Sequence, residues 1–205
     1  MRWGAGLGMS RGIFFLVAGP AGVGKTTLLS RFVAEERGLV RAVSVTTREP
    51  RVGEIDGHSY HFWDQRRFED AMHRGEFLEH ATVHGTKCYG TLARFVEEQL
   101  DAGLDVIKDI DVQGVEQVRR LERYRYPHSV AIFIMPPSEE ELLQRLKGRA
   151  SEDEESLARR LKTAQEELRR THEFDYLVVN DSVERALQRL KAIRMAEHCR
   201  QPRRG

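Results

Sequence analysis

The chain predicts an α/β fold, a mainly parallel sheet flanked by helices. Three observations carry this. Apolar strand-like segments alternate with amphipathic helix-like ones along the whole chain. Several of the strand segments are unbroken Val/Ile/Phe runs, as a sheet covered on both faces requires. The first strand also runs straight into a glycine-rich turn and then a helix.

Taken in order, the predicted strands are Ile13 to Val17, Val40 to Val45, Tyr60 to Phe62, Phe77 to Ala81, Asp105 to Ile110, Val130 to Ile134 and Tyr176 to Val179. The helices between them have legible ends. Asp64 opens a segment that Gly75 closes, and Ala93 to Ala102 is closed by Gly103. Ser138 with Glu141 three residues on forms a capping box. The last helix sets Val183, Ala186, Leu187, Leu190 and Ile193 on one core-facing stripe. Gly148 to Glu155, acidic and small, breaks the regularity and reads as a loop between two charged helices.

With 205 residues and 40% hydrophobic content, there is room for one compact domain with mobile flaps. Lys plus Arg number 33 against 32 Asp plus Glu, so no one-sign field invites nucleic acid or an anionic membrane. An anionic ligand must therefore be held by a local arrangement. Cys88 and Cys199, far apart and without a CxxC, suit a reducing compartment, which points to the cytoplasm. The apolar run Ile13 to Ala18 is too short to span a bilayer, and a glycine loop follows it where a signal peptide would carry its cleavage pattern. Residues 1–11 read as a disordered N-terminus in which a second methionine, Met9, offers an alternative start, and 199–205 as a basic solvated tail. Oligomeric state is left open.

Gly19-Pro20-Ala21-Gly22-Val23-Gly24-Lys25-Thr26 fulfils G-x-x-x-x-G-K-[ST] between a strand and a helix that carries Leu28, Leu29, Phe32 and Val33. Three glycines let the backbone curl into a nest of N–H donors at the positive end of the helix. A polyphosphate fits there. Lys25 would reach the β/γ oxygens, the Thr26 hydroxyl would ligate Mg²⁺ held by ATP, and Thr27 closes the ATP-binding stretch. A turn that merely joins strand to helix has no need of Lys followed by Thr in this register. The motif defines a P-loop NTPase fold and leaves GTPases, ATPases and kinases open.

A second region identifies the acceptor. Ser44-Val-Thr-Thr-Arg48-Glu-Pro-Arg51-Val-Gly-Glu-Ile-Asp-Gly57-His-Ser-Tyr60-His-Phe62 offers two guanidinium forks on one short segment, suited to a dianionic phosphate, with phenolic donors at Tyr60 and Tyr89. Without the loop, a surface Arg pair making rim salt bridges would be the simpler reading. This segment, followed by Phe77-Leu-Glu79-His-Ala, Tyr89-Gly90-Thr91, Asp109-Ile-Asp111-Val-Gln-Gly114, Pro136-Pro-Ser and Val178-Val-Asn180-Asp181, resembles the guanylate kinase family in order and spacing from Ile13 to about Ile193.

The resemblance implies transfer of the ATP γ-phosphoryl group to GMP, and to dGMP, within purine nucleotide metabolism. It also implies a small GMP-binding insertion at about 42–92 and a helical lid at about 147–165 in a domain spanning 12–198. It assigns Arg48, Arg51, Tyr60 and Tyr89 to the GMP phosphate. Glu79, helped by Asp111, is assigned to guanine N1–H and the 2-amino group, and the Ser44 and Thr91 hydroxyls to O6. Adenine lacks both those donors, so the carboxylates would reject it.

Around the transferring group, the family pattern places Arg145 and Arg160, then Arg149, as catalytic charges beside Lys25 and Arg48. The plainer reading of Arg145 is a helix pair with Glu141. Asp109 and Asp111 follow a buried strand and suit a place beside metal-bound water, whereas Lys108 within that strand is either an ion-pair partner or an outward-facing residue.

The chain holds eight histidines without a zinc-binding spacing. It departs from the family at His84 to Thr91, where the spacing from the first glycine to Tyr89-Gly90 is longer by one residue. Two other readings stay open: a catalytically inactive relative that binds phosphorylated peptides, and a related kinase acting on a phosphorylated sugar.

Overall fold

The computed structural model describes residues 11–83, 87–122, 129–147 and 154–200. Its elements in chain order are β1 (Phe14–Ala18), α1 (Lys25–Glu35), β2 (Leu39–Arg41), β3 (Val45–Thr46), β4 (His61–Phe62), α2 (Gln65–His73), β5 (Phe77–Val83), β6 (Lys87–Leu92), α3 (Ala93–Asp101) and β7 (Asp105–Asp109). There follow α4 (Val112–Glu122), β8 (Ser129–Met135), α5 (Glu139–Lys147), α6 (Glu154–Arg169), a 3₁₀ turn (Thr171–Glu173), β9 (Tyr176–Val179) and α7 (Val183–His198).

A five-stranded sheet runs in the order β2-β7-β1-β8-β9. Leu39 pairs with Asp105 and Ile132 with Tyr176, both in parallel register. Every residue of β1 is buried, and so are the five central residues of β8. Strands covered on both faces have no polar side to alternate with, which is why these segments read as continuous apolar runs. By proximity the described residues gather into two compact units. One comprises residues 11–14, 38–83, 87–108 and 117–122, and the other 15–37, 109–116, 129–147 and 154–200.

In the first unit a four-stranded sheet runs β4-β3-β6-β5, with β3 parallel to β4 and the other pairs antiparallel. Its core is Val45, Phe68, Ala71, Phe77 and Cys88, and the Phe68 and Phe77 rings stack with centroids 4.5 Å apart. Helix α2 supplies Phe68 and Ala71 because Asp64 caps it, accepting from the Arg67 N–H at 2.8 Å, and Gly75 ends it at φ 67°. Gly103, at φ 77°, closes α3 in the same way.

In the second unit α1 buries Leu28, Leu29 and Phe32, and α7 buries Ala186, Leu187, Leu190 and Ile193, as the helical phase of the sequence requires. Val183 is half-buried. Leu142 and Leu146 of α5 pack on Ala164, Leu157 and Leu161 of α6. Each such fully buried leucine contributes about 2 kcal/mol of hydrophobic stabilisation. Ser138 opens α5 by accepting from the Glu141 N–H at 3.2 Å, while the Glu141 carboxylate takes Arg145 instead of turning back on the cap.

One strand expectation needs correction, and one strand stands where none was expected. Val40 to Val45 is not one strand: Leu39–Arg41 belongs to the five-stranded sheet and Val45–Thr46 to the four-stranded one. The Ala42 N–H makes a last ladder bond to the Ile107 carbonyl at 2.9 Å, and the chain then changes sheets within an apolar run that does not reveal the switch. Lys87–Leu92 forms a full strand where Tyr89-Gly90-Thr91 reads only as a motif, its residues being held by pairing with β5 and β3. Residues 148–153 of the expected loop, with Arg149, and residues 84–86 of the lengthened segment lie outside the described residues, as do 1–10 and 201–205. Helix α6 begins at Glu154.

Candidate functional site

β1 ends in a turn whose glycines adopt conformations that side chains disfavour: Gly19 at φ 146°, Gly22 at 82° and Gly24 at 93°. A Cβ on Gly19 would lie 2.3 Å from the Ile134 carbonyl oxygen, so the loop hugs β8 too closely for any other residue. Gly24 leads into α1 with no side-chain cap, which leaves the first N–H groups of that helix available to an anion.

Within this loop Gly19 and Pro20 are buried and Ala21 is exposed. Lys25 is folded back onto the loop, donating to the Gly19 carbonyl and, at 3.3 Å, to the Pro20 carbonyl. Thr26 and Thr27 are exposed on the first turn of α1.

The loop is held from the far end of the chain. Asn180, buried just after β9, donates through Nδ2 to the Val23 carbonyl at 2.7 Å, and Arg145 reaches the same oxygen at 3.3 Å. Arg145 also donates to the Asn180 carbonyl at 3.2 Å and to Glu141 at 2.5 Å. The plainer reading of this arginine, a pair along its own helix, is thus met, and the same guanidinium also touches the glycine loop. Arg160 is half-buried on α6.

Glu167, also on α6, went unnoticed in the sequence. Its Oε2 is buried, and among the described residues no hydrogen-bond donor reaches it. Burial lifts its carboxyl to about 7, with Lys25 pulling the value down and Asp111 pushing it further up. Exposed Asp111 accepts from the Gly114 N–H at 2.6 Å and so caps α4, while Asp109 ends β7 half-buried.

The first unit holds the second group of residues. The Arg48 guanidinium makes a two-pronged bond to Glu54, at 2.9 and 2.8 Å, and donates to the Glu49 carbonyl at 2.7 Å. It lies 5.3 Å from the Tyr60 ring centroid and 5.8 Å from that of Phe62. The Tyr60 and Tyr89 rings meet edge to face with centroids 6.0 Å apart.

Glu54 is thus the internal anion of this group, and sequence reading passed over it. Arg48, then the Arg51 N–H at 2.7 Å, holds its carboxyl below the usual range. The Arg51 side chain itself is exposed. Of the residues assigned to guanine, Thr91 is fully buried and donates to Glu79 Oε1 at 2.5 Å, so its proton is directed at the carboxylate. Lys108 does not face outward. It is buried and donates to the Ser44 hydroxyl.

A parallel-sheet strand that turns through a left-handed glycine loop into an uncapped helix carrying lysine as its first residue defines the class: an α/β protein of the phosphate-binding-loop type. The comparisons narrow this. The family model described as guanylate kinase matches residues 12–197. The guanylate kinase of Geobacter metallireducens is 43% identical over 189 residues, 92% of this chain and 91% of that protein. That of Chromobacterium violaceum is 44% identical over 195 residues, 92% and 90% of the two chains. The crystal structure of guanylate kinase from Anaplasma phagocytophilum superposes with TM-score 0.72 at 33% identity, covering 94% of this chain and 89% of the other. The chain belongs to the guanylate kinase family.

Proposed function

We infer that this chain is an ATP:GMP phosphotransferase, moving the γ-phosphoryl group of ATP to GMP to give ADP and GDP. One observation carries the reading: a family match over nearly the whole chain coincides with a complete glycine loop holding Lys25 at the start of α1. Phosphoryl transfer asks little covalent chemistry of a protein, so position and charge do the work.

The loop N–H groups and Lys25 receive the ATP phosphates, and Lys25 exchanges the Gly19 and Pro20 carbonyls for phosphate oxygens. The exposed Thr26 hydroxyl, a single hard oxygen on the first turn, fits Mg²⁺ that arrives with the nucleotide. When bound, that ion neutralises charge developing on the β and γ oxygens.

On the acceptor side, Arg48 exchanges the Glu54 carboxylate for the GMP phosphate, helped by Arg51, Tyr60 and Tyr89. Glu79 takes the guanine N1–H and amino group with Asp111, Ser44 faces O6, and Asp109 supports the site. Arg145, Arg160 and Arg149 stabilise the group in transfer. The acceptor oxygen is already ionised at neutral pH, so no base is needed. dGMP is a second acceptor.

We place the enzyme in the cytoplasm and in purine nucleotide metabolism. The free cysteines, Cys88 buried and Cys199 exposed, suit a reducing compartment. No helix among the described residues is long and apolar enough to cross a membrane. The test is a coupled ADP-release assay with Mg-ATP against GMP, dGMP, AMP, IMP and sugar phosphates. Turnover confined to guanine nucleotides supports the reading, whereas turnover on another acceptor, or on none, overturns it.

A further inference from the structure

Lys108 is 5% exposed near the end of β7, and its ammonium donates to Ser44 Oγ. A buried ammonium is costly to desolvate, so its partners shape what lies around it. Lysine donates only. At this contact Ser44 must therefore act as the acceptor, and its single proton must point elsewhere. A hydroxyl that accepts from a cation is also polarised into a stronger donor. The Ser44 backbone is fixed, its carbonyl accepting from the His61 N–H at 2.8 Å.

The register puts this hydroxyl in a row with two other groups. Val45 opposes Gly90, so Ser44 stands one step beyond, level with Thr91, and Thr91 opposes Glu79. Residues opposed across a sheet share a face. Thr91 donates to Glu79 at 2.5 Å and orients that carboxylate, which can only accept. The row thus carries a hydroxyl made a donor at one end and a carboxylate made an acceptor at the other. A 6-oxo purine with N1–H and a 2-amino group presents the complementary pattern, and a 6-amino purine presents the reverse.

We propose that Lys108 is a specificity-determining positioning residue: by donating to Ser44 it fixes that hydroxyl as a donor and so selects a 6-oxo purine. This rests on the reading that Ser44 faces the 6-position of the acceptor base. The probe is 6-thioguanosine 5′-monophosphate, which keeps N1–H and the amino group but offers sulfur, a weak acceptor, at the 6-position.

Binding of GMP and of this analogue, measured by calorimetry without ATP, gives a ratio of affinities expected to be about tenfold in the native chain, the worth of one hydrogen bond. In Lys108→Met the ratio collapses towards one, as it does in Ser44→Ala, and the double variant is no worse than Ser44→Ala. Lys108→Arg, which retains a donor, restores it. Thermal unfolding checks that each variant is folded. Should Lys108→Met not fold, Lys108→Gln carries the test, because an amide presents either polarity to the hydroxyl and the ratio again falls.

A ratio that survives in Lys108→Met or Lys108→Gln while Ser44→Ala lowers it leaves Lys108 a structural residue and overturns the proposal. A ratio unmoved by Ser44→Ala removes the reading of Ser44 itself, and the proposal with it.

Discussion

Replacing Glu167 by glutamine tests the electrostatics around Lys25. The folded chain holds the Glu167 proton more tightly than the unfolded chain does, its carboxyl rising from 4.5 to about 7. Such a group contributes stability below pH 4.5 that is lost as pH rises through 7, because the folded state must then carry a charge with a buried, donorless oxygen. At ~1.4 kcal/mol per pKa unit the shift has a ceiling of about 3 kcal/mol, and partial exposure of the side chain brings it to about 1–2 kcal/mol.

Urea unfolding of the nucleotide-free protein at pH 4.5 and pH 8 reads this out. Glu167→Gln is expected to gain about 1–2 kcal/mol on the native chain between the two conditions. Any fixed cost of burying the amide cancels in that difference. Lys25 lowers the carboxyl value and Asp111 raises it, so Lys25→Met should move the midpoint upward and Asp111→Asn downward. A stability gap identical at both pH values refutes the reasoning.

Three further substitutions probe the two groups of residues. Asn180→Ala removes the 2.7 Å bond to the Val23 carbonyl and should cost about 1–3 kcal/mol in thermal unfolding, with ATP binding weakened in titration and GMP binding unchanged. Gly90→Ala puts a methyl group 2.8 Å from Phe77 Cδ1 and 3.0 Å from the Glu79 carbonyl. It should destabilise by about 1–3 kcal/mol and raise the KM for GMP as β5 shifts; unchanged melting would mean that the Phe77 ring moves freely. Arg48→Lys keeps the charge but not the fork that grips Glu54, and the KM for GMP should rise about tenfold or more with the KM for ATP unchanged.

What the sequence revealed was whatever local chemistry dictates. Glycine adopts without strain the backbone that other residues rarely take at 19, 22 and 24, and Asp64, Gly75 and Gly103 announce helix ends because caps are made within a few residues. The change of sheets after Ala42 was hidden, since either sheet accepts the same apolar residues. Lys87–Leu92 was hidden because its strand character comes from its neighbours and not from its own pattern.

Lys108 could point either way in the sequence, because the hydroxyl it donates to, Ser44, stands 64 residues away along the chain. Glu167 left a fainter signal: it lies one turn beyond Ala164 on the stripe begun by Leu157 and Leu161, so the helical phase turns it inward while its neighbour Glu166 is exposed. The double engagement of Arg48 with Glu54 was equally open to reading, because carboxylate and guanidinium stand on one short loop.

The carbonyl of Val23 accepts from side chains 122 and 157 residues further along the chain. A loop written near the start of the sequence thus takes its final form only after its last tether has been synthesised. During translation this tether can close only once most of the chain has been made, and contacts of such long range slow folding. A nascent chain stopped short of that residue has the whole glycine motif and lacks the buried amide that holds it in shape.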